Sequence, residues 1–360
     1  MDEILKTYCR DLSAGSLGPE PPAAARRPEE LNRLFRELAD RRSVVMIGPP
    51  GVGKTTLIRH AIHLVKKGKG PADLEGHRFF ETSCTNLMAD TKYLGEWDTR
   101  IFQLVKALGE KSVLVLTDLW NLMGTGSHEH SGRDLFDALH TALQRGEVLL
   151  LGEMSESRLQ SCRYRNPNFG QAFSPIRVDP PDPGTTRTVL TFKAKQLAKK
   201  YGLDYGPETI ERVYSVCHRL IPYEVFPGKG VRLLKRVFSE TATVAERHTV
   251  DPAVVLQVFA ADSGLPHFML DLDSTMDIEA TRSFFYNQVV GQEEAVESMV
   301  DTLATFKAQL NDPSKPLGVF FFVGPTGVGK TEMAKAIASY LFGSADRLIR
   351  VDMSEYSSPM

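Results

Sequence analysis

The feature that most constrains this chain is a short phrase written twice. GPPGVGKT runs from Gly48 to Thr55, and GPTGVGKT returns from Gly324 to Thr331. Both fit G-x-x-x-x-G-K-[ST], a loop whose backbone N–H groups close around phosphate oxygens, whose lysine neutralises them and whose hydroxyl holds Mg²⁺. The backbone can approach a phosphate so closely only where side chains are small, hence the glycines. The first candidate site therefore comprises Gly48, Pro49, Pro50, Gly51, Val52, Gly53, Lys54, Thr55 and the adjoining Thr56. The second comprises Gly324, Pro325, Thr326, Gly327, Val328, Gly329, Lys330, Thr331 and the adjoining Glu332. Such a loop needs a strand before it and a helix after it. Ser43-Val44-Val45-Met46-Ile47 and Val319-Phe320-Phe321-Phe322-Val323 are the expected strands. The runs from Thr56 to Ile62 and from Glu332 to Ala338 carry helical spacing.

The rest of the chain alternates in the same manner. Strand-like runs stand at Arg78–Thr82, Val113–Leu116 and Val148–Gly152, with helical patterns between them such as Arg100–Leu108. Strands alternating with helices build a mainly parallel α/β sheet. From Thr185 to about His248 the pattern is helical throughout, which predicts a small helical subdomain after the sheet. Pro/Gly clusters at Gly15–Pro22, Asp179–Gly184 and Asn311–Pro316 mark boundaries. A length of 360 residues suits two or three folding units. The expected division is a leading segment 1–22, an α/β nucleotide-binding subdomain 23–180, a helical lid 181–250, a linker 251–283 and a partial second module 284–360.

Composition excludes several classes of function. Hydrophobic residues at 42% and charged residues at 24% are ordinary for a globular protein. A net charge of −2 argues against a dominant nucleic-acid surface. No apolar run approaches membrane-span length, and no leader is apparent after Met1-Asp2-Glu3. The 4 cysteines, Cys9, Cys84, Cys162 and Cys217, are scattered without a C-x-x-C pair, which fits reduced cytoplasmic thiols.

Two phosphate loops, an α/β unit and a helical lid resemble the Clp-family AAA+ ATPases, tandem-module protein unfoldases. Tyr8-Cys9-Arg10-Asp11-Leu12, Lys92-Tyr93-Leu94-Gly95-Glu96-Trp97 and Leu143-Gln144-Arg145-Gly146-Glu147 carry the resemblance through the first module. Val289-Val290-Gly291-Gln292-Glu293-Glu294-Ala295-Val296 and Arg350-Val351-Asp352-Met353-Ser354-Glu355-Tyr356 carry it into the second. The resemblance implies that ATP and Mg²⁺ are the cofactors. Lys54 and Lys330 would contact the β- and γ-phosphates, and Thr55 and Thr331 would coordinate Mg²⁺. Val289 and Val290 match the family's adenine-pocket segment; the corresponding place in the first module, Ala24-Ala25-Arg26-Arg27, departs from its pattern. Tyr93 matches the aromatic that grips a threaded polypeptide in a hexameric ring, the alternative being a packed surface tyrosine beside Gly95.

The departures from the family are as informative. A hydrolysing module needs an apolar strand ending in two carboxylates, one for the Mg²⁺ shell and one to activate water. Val113-Leu114-Val115-Leu116-Thr117-Asp118-Leu119-Trp120 supplies only one. In one register Thr117 takes the metal side and Asp118 is the catalytic base; in the other Asp118 takes the metal side and Leu119 the base position. Gln171 and Ala172 stand where the family places a pair of arginines that reach a neighbour's γ-phosphate, with Arg163 and Arg165 as alternatives. The polar sensor falls on Met154 or Ser155. The expectation is a first module that binds ATP and hydrolyses it slowly or not at all.

His128-Glu129-His130 lacks helical histidine spacing and reads as a solvated loop, and Lys66-Lys67-Gly68-Lys69 as a charged helix end. No heptad stretch follows Ala245-Glu246-Arg247-His248, so the coiled-coil arm of the disaggregase branch has no place there, and the family's amino-terminal adaptor domain is expected to be absent. The second module is expected to be incomplete, ending soon after its second strand. The function these residues imply is an ATP-dependent, cytoplasmic protein unfoldase, a homo-hexamer when complete. It would act on unfolded polypeptide with a protease or adaptor as further partners, and on neither nucleic acid nor membrane. The competing reading is a nucleotide-gated assembly scaffold.

Overall fold

The computed structural model describes residues 2–15, 17–22, 25–89, 96–124, 134–244, 248–265, 270, 275–308, 310–312 and 315–353. The chain divides into two compact units, one of residues 1–192 with 224–229 and one of residues 193–223 with 230–360.

The first unit is built on a six-stranded sheet: β1 (Arg10–Asp11), β2 (Ser43–Ile47), β3 (Arg78–Thr82), β4 (Ser112–Leu116), β5 (Leu149–Met154) and β6 (Phe173–Arg177). Their order is β1-β3-β4-β5-β2-β6. All neighbours are parallel except the short antiparallel pairing of β1 with β3. A parallel sheet is covered on both faces, so its inner strands read as unbroken apolar runs. The alternation of side chains sorts those runs. Val45, Ile47, Leu114, Leu116 and Leu150 enter one core, which also holds Cys84 and Phe136. Val44, Met46, Val113, Val115, Leu149 and Leu151 enter the other, against Leu57, Ile58, Ala61 and Ile62 of the helix Lys54–Lys66.

Local sequence sets the helix boundaries. The helix Pro28–Ala39 opens with proline and Glu29-Glu30, which suit a helix N-terminus, and buries Leu31, Leu34, Phe35 and Leu38 at helical spacing. Leu135–Gln144 starts at a capping box between Asp134 and Asp137. The strands expected at 43–47, 78–82, 113–116 and 148–152 are all present, to within two residues at their ends.

The second unit is mostly helical, with Pro207–Leu220, Pro252–Ser263, Ile278–Gln288, Glu293–Lys307 and Lys330–Phe342 wholly inside it. A two-residue parallel pairing joins β7 (Asp204–Tyr205) to β8 (Thr249–Val250). Phe285, Val296, Met299, Val300, Leu303 and Met333 form a separate core.

The strand expected at Val319–Val323 is corrected here: the run belongs to no sheet. Phe320 and Phe322 lean on the Phe285 core, while Val319 and Phe321 stand 87% and 91% exposed. The alternation of a strand is present, but a strand needs a neighbour for its N–H and C=O groups, and none among the described residues of this unit pairs with it.

Candidate nucleotide site

The first loop leaves the carboxyl end of β2, the end at which open parallel sheets bind their ligands. Gly51 and Gly53 have φ of 84° and 106°, values that suit glycine. A Cβ on Gly48 would lie 2.4 Å from the Val178 carbonyl oxygen, so the loop's tight curve excludes any larger residue there. The helix Lys54–Lys66 begins directly after Gly53 with no side chain capping it. Its first N–H groups have no intrahelical acceptor and carry the positive end of the helix dipole, a favourable place for phosphate oxygens.

The lysine is held inside the loop. Lys54 Nζ donates to the carbonyl oxygens of Gly48 and Pro49 at 2.8 and 2.9 Å, and the residue is only 7% exposed. Burial lowers the amine's pKa, and the negative charge of Glu153 partly restores it. The Thr55 hydroxyl lies 2.9 Å from both Glu153 carboxylate oxygens. Glycine curvature, uncapped N–H groups, an ammonium and a hydroxyl together fit a nucleotide triphosphate with Mg²⁺ at this loop. No cluster of three or more His, Cys, Asp and Glu suited to a metal exists among the described residues, so a Mg²⁺ here would lean on the Thr55 hydroxyl and the phosphates.

The second loop repeats this geometry. Gly327 and Gly329 have φ of 89° and 97°, Lys330 Nζ donates to the Gly324 and Pro325 carbonyl oxygens at 2.7 and 2.6 Å, and a helix begins at Lys330. Gln292 Nε2 donates to the Val328 carbonyl at 3.1 Å, tying the Val289–Val296 segment to the loop. Val289 is buried, and a Cβ on Gly329 would come within 3.4 Å of it; Val290 is 88% exposed. The structure thus brings Val289, Gln292 and the loop together and turns Val290 outward.

The remaining first-module candidates separate by sheet face. Thr117 extends the odd-numbered series Val113 and Val115, on the face that carries the Lys54–Lys66 helix, and its N–H continues the strand ladder to the Thr82 carbonyl at 3.0 Å. Asp118 points the other way. Its Oδ1 accepts the Cys84 N–H at 2.7 Å, and its Oδ2 accepts Asn121 Nδ2 at 3.1 Å and Thr85 Oγ1 at 3.5 Å. Burial, reinforced by that carboxylate, pushes the Cys84 thiol far above its ordinary range. Arg27, in the left-handed region at φ 49°, donates to the carbonyls of Asp179 at 2.6 Å and Val52 at 3.5 Å, so the departing Arg26-Arg27 segment does reach the loop. Gln171, Arg163 and Arg165 are exposed. Tyr93, Ala24 and His128-Glu129-His130 lie outside the described residues.

Two contacts at the loop escaped the sequence reading. Glu153 is one; a carboxylate just past Gly152, where an apolar strand ends, was the available signal. The other is Gly228, the first residue of the helix Gly228–Thr243 directly after the cis Phe226-Pro227 bond, whose N–H donates to the Gly51 carbonyl at 2.9 Å. A Cβ on Gly228 would lie 2.6 Å from Gly51 Cα. The Pro227-Gly228 pair marks a turn in sequence but not what the turn touches. The cavity of about 760 Å³ between the helices Glu96–Leu108 and Leu135–Gln144, lined by Arg41, Glu110 and Gly146, sits at the opposite, amino end of the strands.

Fold and loop define a P-loop nucleotide-binding protein, and comparison with known proteins narrows the class. Residues 25–157 match the AAA ATPase domain family and residues 315–359 the AAA domain (Cdc48 subfamily). The chain is 25% identical to the ATP-dependent Clp protease ATP-binding subunit ClpA homolog of Trieres chinensis, covering 99% of this chain and 48% of that protein. It is 26% identical to the ClpE subunit of Bacillus subtilis, covering 99% and 58%. Among solved structures, Hsp104 with ATPγS and FITC casein superposes with a TM-score of 0.78 at 26% identity, over 98% of this chain and 61% of that one. The S. cerevisiae Hsp104:casein complex gives 0.75 at 25% identity, over 98% and 61%. Along nearly its whole length the chain is similar to Clp-type AAA+ ATPases. It spans about half the length of the curated relatives it matches.

Proposed function

We propose that this chain binds Mg²⁺-ATP at the loops headed by Lys54 and Lys330. The protein it represents would be an ATP-driven polypeptide unfoldase or chaperone working as a hexameric ring. The observation that supports this most is the first loop itself: a glycine-shaped turn on a buried strand, closing on Lys54 and opening a helix whose N-terminus is left for an anion. Lys54 would neutralise the β- and γ-phosphates and Thr55 would take a place on Mg²⁺; Lys330 and Thr331 would do the same at the second loop. Mg²⁺ held there by the Thr55 and Thr331 hydroxyls would offset the charge of the phosphates.

The same reading assigns 23–180 to the nucleotide-binding subdomain, 181–250 to the lid and 284–360 to a second module, and gives Tyr93 the grip on a polypeptide. Relatives whose names specify a Clp protease and casein support a protease or polypeptide partner. No helix among the described residues is long and apolar enough to cross a membrane, which fits a cytoplasmic protein.

One observation favours slow hydrolysis in the first module, and with it a regulatory scaffold role as the second reading. Thr117 carries no carboxylate, and Asp118 is committed to Cys84, Thr85 and Asn121 on the face away from the loop helix. The test is calorimetry on the 360-residue chain with Lys330→Ala, so that only the first loop is read. Adding Lys54→Ala should weaken ATP binding at least roughly tenfold, the loss expected when a charged phosphate contact of about 1.4 kcal/mol or more is removed. ATP binding that is indifferent to Lys54 would refute the site.

A further inference from the structure

Among the described residues, Glu153 is the acidic side chain hydrogen-bonded to Thr55. It extends the odd-numbered series Leu149 and Leu151 of β5, so it lies on the sheet face that carries the Lys54–Lys66 helix, the face of Val113, Val115 and Thr117. β5 stands between β4 and β2, and Glu153 pairs with Met46, two residues before Gly48. A carboxylate on this strand therefore reaches the phosphate loop from directly beside the place where Thr117 has none.

The direction of the hydrogen bond gives the contact a meaning. A threonine hydroxyl that donates its proton to a carboxylate keeps its oxygen lone pairs free for a cation. Carboxylates in that outer position orient a metal-binding group and raise its basicity. Such a partner is what a metal-side carboxylate at position 117 would provide. We infer that Glu153 replaces the carboxylate missing from β4, acting from the neighbouring strand as the residue that positions Thr55, and the water shell beyond it, for Mg²⁺. The inference rests on the proposed Mg²⁺-ATP binding at this loop. Glu153 touches neither phosphate nor water-activating group in this role; it is a positioning residue.

Placing a negative charge beside a phosphate site has opposite effects with and without the cation. With Mg²⁺ present Glu153 favours binding, and without it the carboxylate repels the phosphates. A residue that merely props the fold would not reverse sign in this way. The experiment uses the 360-residue chain with Lys330→Ala, and measures binding of a fluorescent ATP analogue over a Mg²⁺ titration and in EDTA. Glu153→Ala should raise the Mg²⁺ concentration for half-saturation by about 10- to 100-fold, the range for loss of an outer carboxylate. In EDTA the same variant should bind the analogue as tightly as the parent or more tightly. Thr117→Asp added to Glu153→Ala should recover most of the Mg²⁺ sensitivity, because it returns a carboxylate to the same sheet face.

Glu153→Gln, which keeps shape and an acceptor oxygen but no charge, should fall between parent and alanine, and serves if Glu153→Ala does not fold. An unchanged Mg²⁺ requirement in Glu153→Ala or Glu153→Gln, while Lys54→Ala still abolishes binding, would overturn the role of Glu153 and leave the site standing. Equal weakening in Mg²⁺ and in EDTA would overturn it too, as the mark of a structural prop. A parent that does not bind the analogue at all would take down both the site and the inference.

Discussion

Asp118 offers the sharpest separation between a catalytic and a structural carboxylate, because its bonds are specific and its loss has a computable cost. Its Oδ1 accepts the N–H of Cys84, the first residue of the short helix Cys84–Met88, and Cys84 is fully buried. Replacing Asp118 by alanine leaves that N–H without an acceptor in a place water does not reach. A hydrogen bond to a charged group contributes about 1.5–3 kcal/mol, and an orphaned buried donor costs a similar amount. Asn121 is half-buried and Thr85 exposed, so they regain water and add only a few tenths each, roughly. Removing a carboxylate that is itself 9% exposed returns some desolvation free energy and offsets part of the loss. The net expectation is a destabilisation of the first unit by about 2 kcal/mol. For a domain of this size that is a drop of about 4–8 °C in its unfolding temperature. Asp118→Asn keeps an oxygen for the Cys84 N–H but turns an NH₂ toward the Asn121 amide, and should lose about half as much. Differential scanning calorimetry of the full chain reads both. An Asp118→Ala transition within 1 °C of the parent's, roughly the resolution of such a comparison, would refute the capping argument. The carboxylate would then be free for chemistry after all.

Gly228→Ala places a methyl 2.6 Å from Gly51 Cα and 2.8 Å from its carbonyl oxygen, both backbone atoms. It should cost about 1–3 kcal/mol of stability in urea unfolding and weaken ATP binding at the first loop; unaltered affinity would show that this contact does not shape the loop. Above neutrality, burial pushes the Cys9 thiol up to about 11, against a lesser opposing effect of its hydrogen bond with Thr82. The unfolded thiol ionises near pH 9 while the native one keeps its proton, so the unfolded state binds fewer protons and stability falls as pH rises from about 9 to 11. The fall from this group is on the order of 2 kcal/mol. Cys9→Ala should flatten the slope by that amount, and an identical slope would count against this role for the half-buried thiol.

The sequence made the four inner strands legible and left the outer two obscure, for reasons that belong to pairing. β2, β4 and β5 are covered on both faces, so their apolar runs announce them in any window. β6 contains Pro175, which lacks an N–H, and is tolerated because β6 pairs on one side only, with β2. β1 is two polar residues at the other edge. Val319–Val323 errs in the opposite direction: its apolar alternation reads as a strand, yet a strand is a property of two segments. The loops themselves were legible because their chemistry is local, a fixed spacing of Gly, Lys and Thr within eight residues.

What supports the loops was less legible, and Glu153 shows why. The motif register puts the polar sensor at Met154 or Ser155. The alternation along β5 instead turns Met154 into the Phe136 core and leaves Glu153 on the loop's face. Side chains alternate along both strands, so odd positions on β4 and β5 reach the loop helix and even ones do not. Thr117 and Glu153 fall on one side and Asp118 on the other. The apparent defect in β4 is therefore a statement about which strand carries the charge. The restoring change that follows is Thr117→Asp, on the correct face, rather than any replacement of Asp118.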